Sequence, residues 1–256
     1  MRLARFFVPG IYDRDEIVRV DGGDAHHIVD VLRLGSGERI EIIDSAAHAF
    51  VAELTCEGKR VSARLVEELA RTPDPDVRVD VAQALPKGTK MDFVVEKATE
   101  LGAATILPFS SERAVAHEAG ASKLERWRRI ARSAAEQCGR RDIPAVLAPM
   151  AFEELLARFG TYDRVFFAWE SEERRPLRAR LPSLLAGVRS ILIVVGPEGG
   201  FSHAEADAAR PRGAEVISLG ARILRTETAA MVLLAILNYE TGEGRNIEAA
   251  RRIVSG

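Results

Sequence analysis

Two cysteines, Cys56 and Cys138, are the whole thiol content of this 256-residue chain. That excludes a disulfide scaffold and any CxxC zinc site. Long apolar runs are missing, and none approaches the ~18 residues that a membrane span needs. The opening Met1 to Pro9 reaches Asp13 and Asp15 without an adequate apolar region, so no signal peptide is expected. Neither sign of charge dominates. The 36 basic and 38 acidic side chains give a net charge of −2, and bulk basicity does not announce a nucleic-acid binder. Internal repeats and low-complexity tracts are absent. So are GxGxxG and GxxxxGK[ST], which argues against a nicotinamide-dependent oxidoreductase and against triphosphate hydrolysis. His26 and His27 have no other partner at ligand spacing, so no metal is expected. These absences leave a soluble, reduced, cytoplasmic protein as the expectation.

What is present is ordinary globular material, 47% apolar and 29% charged. The length suits one large domain or two modest ones. The best boundary is Thr72-Pro73-Asp74-Pro75-Asp76, where two prolines disfavour helix. It divides a domain over 1–72 from one over 73–256.

Residues 1–72 read as short strands. Arg39 to Asp44 and Ala49 to Leu54 form a plausible hairpin, and Arg60 to Leu65 alternates with period two. Only Asp24 to Leu34 looks helical. A small β-rich domain, such as a barrel, is expected. Residues 73–256 instead alternate strand and helix, which argues for a parallel sheet. Strands are expected at 77–84, 105–109, 165–169, 190–195 and 215–219. Helices are expected at 91–101, at 152–159, from His203 and at 228–240. Leu124, Trp127, Ala131, Ala134 and Cys138 repeat at helical spacing, so Trp127 and Cys138 read as buried. Gly242 to Gly256 reads as a polar tail with the pattern of a loose last helix.

Two stretches carry chemistry. An apolar strand ends in Gly196-Pro197-Glu198-Gly199-Gly200, and Ser202 with Glu205 makes a capping box. Such turns lie at the carboxyl ends of strands, where α/β sheets bind ligands. The second stretch is Leu219-Gly220-Ala221-Arg222-Ile223-Leu224-Arg225-Thr226. There arginines flank an apolar pair before a helix N-terminus, a good setting for an anion.

These stretches occur in order with Ala84-Leu85-Pro86-Lys87-Gly88-Thr89-Lys90-Met91-Asp92, Glu96 to Gly102, Ser111-Glu112-Arg113 and Glu136 to Arg140. Arg5-Phe6-Phe7 and His26 to Arg33 precede them. Together they resemble the methyltransferases of the SPOUT superfamily that make N3-methyluridine in 16S ribosomal RNA. The match spans nearly the whole chain. It departs at Ala221, where that family usually has proline, and at Pro211, which is expected to end the helix begun at His203.

The resemblance implies a PUA-like RNA-binding β-barrel over 1–72 and an α/β domain with a C-terminal trefoil knot over 73–256, working as a homodimer. It implies S-adenosylmethionine held by Ala168, Trp169, Val195, Gly196, Pro197, Glu198, Gly199, Gly200, Leu219, Gly220, Ala221, Ile223, Leu224 and Thr226. The substrate would be 16S rRNA, within the assembled 30S subunit. N3 of uridine must lose its proton to become a nucleophile. Arg225 and Arg113 are the candidate cations beside the uracil oxygens, and Glu198 or Glu227 the candidate proton acceptor. From Arg113 to Arg141 there are 8 basic and 3 acidic side chains, a local net of +5. Arg5, Arg33, Lys87, Lys90, Arg113, Arg128, Arg129, Arg132, Arg140 and Arg141 are therefore the expected RNA contacts. Two rivals remain: methylation of another RNA or atom, such as a ribose 2′-hydroxyl, and a non-catalytic RNA-binding assembly factor.

Overall fold

The computed structural model describes residues 3–58, 60–71, 75–114, 120–171 and 177–241. Thr72, Pro73 and Asp74 of the expected linker Thr72–Asp76, and the tail from Gly242, lie outside the described residues. The chain divides into two compact units. One comprises Met1–Asp74 with Ala135–Asp142, the other Pro75–Ala134 with Ile143–Gly256. The segment Ala135–Asp142, which a single cut at 72/73 assigns to the second domain, groups with the first.

The first unit is built on five strands: β1 (Arg5–Phe7), β2 (Ile17–Val20), β3 (Arg39–Ile43), β4 (Ala49–Glu57) and β5 (Arg60–Leu69). They form one sheet in the order β1-β3-β4-β5-β2. The hairpin expected from Arg39 to Leu54 is the antiparallel pair β3–β4. Alternation places Val61, Ala63 and Leu65 of β5 inward, against Phe6, Ile28, Ile40, Ile42 and Phe50. The helical stretch is shorter than expected. α1 (Gly22–His26) gives way to a π-helical turn over His27–Val31, and Arg33 follows with φ of 56°. His27 packs edge-on against Phe6, while His26 pairs with Asp30.

Glu41 is 6% exposed and accepts from two guanidinium groups. Arg5 Nη2 lies 2.6 Å from Oε2, and Arg141 Nε 3.1 Å from Oε1. Arg5 Nη1 donates to the Arg140 carbonyl, and Arg141 Nη1 to that of Ala70. A buried carboxylate requires such partners, and these contacts fix Ala135–Asp142 within the first unit.

The second unit follows in chain order as β6 (Arg78–Ala84), α2 (Lys90–Glu100), β7 (Thr105–Ser110), α3 (Ala121–Cys138), β8 (Ala145–Val146), β9 (Met150–Ala151), α4 (Phe152–Ala157), β10 (Arg164–Ala168), α5 (Leu177–Leu185), β11 (Ser190–Val195), α6 (His203–Ala209), β12 (Ala214–Ile217) and α7 (Thr226–Thr241). The sheet order is β12-β10-β11-β6-β7-β8, with β9 also on β7, and every pairing is parallel. Both faces of β11 are buried, which explains its unbroken apolar run. Ile191, Ile193 and Val195 face one core with Trp127, Leu233 and Leu237. Leu192 and Val194 face the other, with Phe152, Phe167 and Phe201. Cys138 is only half-buried, and its thiol reaches the Ala135 carbonyl. α6 stops at Ala209, and Pro211 sits inside a 3-10 turn over Arg210–Arg212, as a residue lacking an N–H would dictate.

One connection positions the site. β12 is an edge strand, yet α7 packs against α2 and the central strands β6 and β11. The loop from Ser218 to Arg225 must therefore cross the carboxyl ends of the sheet to reach the middle.

Candidate active site

The loops after β10, β11 and β12 converge with the first turn of α7 on a pocket of about 690 Å³. That size suits a drug-sized ligand, which fills roughly 300–1,000 Å³. The turn after β11 closes by a hydrogen bond from the Gly200 N–H to the Pro197 carbonyl, 3.0 Å. Gly200 has φ of +65°, and a Cβ there would lie 2.1 Å from Glu170 Oε1. The left-handed φ favours glycine there, and any side chain would have to displace the Glu170 carboxylate. Phe201 anchors the turn. It is 1% exposed and lies 4.0 Å, centroid to centroid, from Phe167. Trp169 Nε1 donates to its carbonyl at 3.2 Å.

A buried clasp holds two of the loops together. The Thr226 hydroxyl donates to the Gly196 carbonyl at 2.5 Å and accepts from Gln83 Nε2 at 2.8 Å. Gln83 Nε2 also donates to the Ala84 carbonyl at 3.0 Å. The Thr226 hydroxyl thus ties the first turn of α7 to a carbonyl 30 residues earlier in the chain. Gln83 is fully buried, and its Oε1 has no hydrogen-bond partner among the described residues.

The electrostatics centre on Lys90. Its Nζ lies 2.7 Å from Glu198 Oε1 and 3.8 Å from Glu227 Oε2. The Lys87 N–H donates to the same Glu198 oxygen at 3.1 Å. Burial pushes the Glu198 carboxyl up, but the Lys90 hydrogen bond, the backbone N–H groups of Glu198 and Lys87 and the Lys90 charge outweigh it, and the net displacement is downward. The hydrogen bond to Glu198 holds the Lys90 ammonium above its usual range against the opposing effect of desolvation. The Arg225 guanidinium makes no ion pair among the described residues and lies near enough to act on Lys90 by charge.

Every residue expected to hold the cofactor lines this pocket except Gly199. Gly199 backs onto Arg113 instead. A Cβ there would lie 3.2 Å from Arg113 Cβ, and Arg113 Nη1 donates to the Gly199 carbonyl at 3.3 Å. Arg225 and Lys90 line the pocket, and Arg113 does not. Glu198 already carries two donors, and a carboxylate so stabilised is a weak base. Arg5, Arg140 and Arg141 are taken up by the Glu41 and Asp142 ion pairs, so their charge is spent within the first unit. Arg128 pairs with Glu125 at 3.0 Å, and Arg132 is half-buried. Arg33, Lys87, Arg113 and Arg129 are exposed.

Sequence reasoning missed Glu170, Ser218, Arg222 and Ala229 in the lining. Arg222 had a signal, its place beside Ile223. Glu170 had none, since a single glutamate after a strand is indistinguishable from a solvated one. Ile223 is 85% exposed and lines the pocket with an apolar side chain.

The residues fit an adenosyl sulfonium. Glycines admit close backbone approach, Ile223 offers an apolar face, and Glu170 supplies a carboxylate. Among the described residues no cluster of side chains suits a metal ion, and no helix is long and apolar enough to cross a membrane.

Comparison with known proteins identifies the family. The RNA methyltransferase domain family matches residues 73–238, and the RNA methyltransferase PUA domain family matches residues 20–65. Ribosomal RNA small subunit methyltransferase E of Bacillus subtilis is 33% identical over 87% of this chain and 90% of its own length. The same-named enzyme of Neisseria gonorrhoeae, crystallised with S-adenosylmethionine, superposes with a TM-score of 0.81 at 30% identity over 93% of this chain and 98% of that one. A putative methyltransferase of Legionella pneumophila, also solved with that cofactor, gives 0.85 at 28% identity over the same shares. The chain belongs to the RNA methyltransferase family that contains the ribosomal RNA small subunit methyltransferase E proteins.

Proposed function

We propose that the chain transfers a methyl group from S-adenosylmethionine to N3 of one uridine in 16S ribosomal RNA, within the assembled small subunit. The observation that carries this reading is the pocket. Two glycine turns and an exposed isoleucine surround a space with the Arg225 guanidinium, which makes no ion pair among the described residues, in its lining. Gly196, Pro197, Glu198 and Gly200, with Leu219 to Leu224, hold the cofactor largely through backbone groups.

The bound cofactor supplies an electrophilic methyl on a sulfonium, so no metal is required. The protein's task is to align uridine N3 with that methyl and to lower the cost of removing the N3 proton. Arg225 does this by placing its cation beside a uracil carbonyl oxygen, where negative charge develops. Lys90 adds a second cation from the same pocket. Glu198 acts by fixing Lys90 rather than by taking the proton, which passes to water at the mouth. Arg113 holds the RNA beside the glycine turn, and Arg33, Lys87 and Arg129 are exposed phosphate contacts.

The same reading includes a trefoil knot, a PUA-like barrel and a homodimer. The return of α7 from the edge strand to the sheet centre supports the knot. Tyr239 of α7 and Phe93 of α2 are 81% and 45% exposed on two helices that pack together, which supports a dimer through that face.

The test is transfer of labelled methyl to small subunits from cells lacking this gene, followed by nucleoside mass spectrometry. The expected product is 3-methyluridine. A ribose-methylated nucleoside would move the target atom. RNA binding with no transfer would favour an assembly factor.

A further inference from the structure

The capping box at α6 holds more than its helix. Glu205 is 6% exposed, yet its carboxylate accepts three hydrogen bonds. Oε2 accepts from the Ser202 N–H at 2.9 Å, which is the ordinary capping contact. Oε1 faces the other way. It accepts from the Ser111 hydroxyl at 2.9 Å and from the Glu112 N–H at 3.0 Å. Ser111 is itself 3% exposed. Arg113 follows Glu112, and its guanidinium reaches the Gly199 carbonyl.

One buried carboxylate therefore clamps the loop after β7 to the start of α6. That fixes Arg113 against the glycine turn. A helix cap alone needs only one of the two oxygens, and helix stability does not explain the second. An exposed arginine on an unpinned loop would also lose several rotamers on meeting RNA.

We infer that Glu205 is a positioning residue for methyl transfer, acting through Ser111 and Glu112 to hold Arg113 where the RNA substrate meets the pocket. The inference rests on the assignment of Arg113 to the RNA. Glu205→Gln keeps the size of the side chain but replaces one acceptor oxygen with a donor. One of the two sets of donors, Ser202 N–H or Ser111 and Glu112, then loses its acceptor. Ser111→Ala removes one clamp bond and leaves the cap intact. Ser202→Ala removes the capping hydroxyl and leaves the clamp intact.

The experiment is a double-mutant cycle on methyl transfer to small subunits, with cofactor affinity measured by calorimetry. Glu205→Gln and Ser111→Ala are expected to lower kcat/KM for RNA about tenfold, the scale of one lost charged hydrogen bond, with cofactor affinity unchanged. Both effects should vanish in an Arg113→Ala background, because the clamp then has nothing to position. Ser202→Ala should lower the unfolding temperature and leave kcat/KM unchanged. If Arg113→Ala has no effect on RNA kinetics, the role given to Arg113 fails. If Arg113→Ala is severe but Glu205→Gln and Ser111→Ala are additive with it, the clamp is only structural and the inference is overturned. Ser111→Ala alone decides the cycle if Glu205→Gln does not fold.

Discussion

The two ends of the second sheet are built on opposite terms. At the amino ends of its strands, polar groups are closed on one another. Asp80 accepts from Arg78 Nε at 3.1 Å and from the Tyr162 hydroxyl at 2.9 Å. Arg78 Nη2 donates to Thr105 at 2.7 Å. Asp163 Oδ2 accepts from the Arg189 N–H, the Ser190 N–H and the Ser190 hydroxyl, each at 2.9 Å. At the carboxyl ends the Arg225 guanidinium has no ion pair and Gln83 Oε1 no hydrogen bond among the described residues, and Ile223 is left bare. Both ends carry comparable polar chemistry. Saturation by neighbours marks the end that only holds the fold, and groups left open mark the end that meets a ligand.

The sharpest way to break this contrast is at Arg225. Arg225→Ala should cut kcat for methyl transfer by about 10²–10³, the usual cost of losing one group that stabilises developing charge. Cofactor affinity should stay within about twofold. Equal losses in both would make Arg225 a cofactor ligand. A smaller effect is expected behind the pocket. Gln83→Leu removes the donor to Thr226 and should weaken cofactor binding about tenfold by loosening two loops at once, an effect on the scale of one buried hydrogen bond. Calorimetric titration reads it, and unchanged affinity would remove Gln83 from the site.

At the closed end the effects should be on stability alone. Tyr162→Phe deletes one hydrogen bond to Asp80 and should cost about 1 kcal/mol. That is a fall of about 2–4 °C in unfolding temperature, with kcat unchanged. A change in kcat would erase the distinction between the two ends. The smallest effect is electrostatic. Hydrogen bonds from the Arg189 N–H, the Ser190 hydroxyl and the Ser190 N–H hold the Asp163 carboxyl below its usual range. A depressed carboxyl stabilises the folded state above its ordinary pKa of about 3.9. That contribution is lost as pH falls through the folded value. The stability gap between Asp163→Ala and the parent should therefore be full at pH 7 and close in the acid range. Denaturant titrations at a series of pH values would show it, and a pH-independent gap would contradict it.

Much of the scaffold was legible because local signals were strong. The apolar run of β11, the capping box at Ser202 and the stripe on α3 each follow from one segment's own pattern. What was not legible depends on partners far along the chain. Glu205 reads as a cap, and only folding brings Ser111 to its second oxygen. Arg5 and Arg141 read as free charges until Glu41 is seen between them. Lys90 reads as a phosphate contact, and the fold turns it towards Glu198. α1 was expected to run to Leu34, but a π-helical turn interrupts it and no periodicity announces that. The path of α7 to the sheet centre was equally hidden, since an apolar helix after an edge strand would ordinarily cover that edge.

The central claim is that the carboxyl-end pocket is where the methyl donor binds. Titration of S-adenosylmethionine into the parent protein and into Gly200→Val tests it most directly. Gly200 has positive φ, and a side chain there meets Glu170, so the variant alters the pocket while leaving the cores untouched. The account predicts one binding site in the parent and an affinity at least about 100-fold weaker in the variant, with the variant less stable but still folded at the temperature of the titration. Equal affinity in the two would place the donor elsewhere and contradict the account.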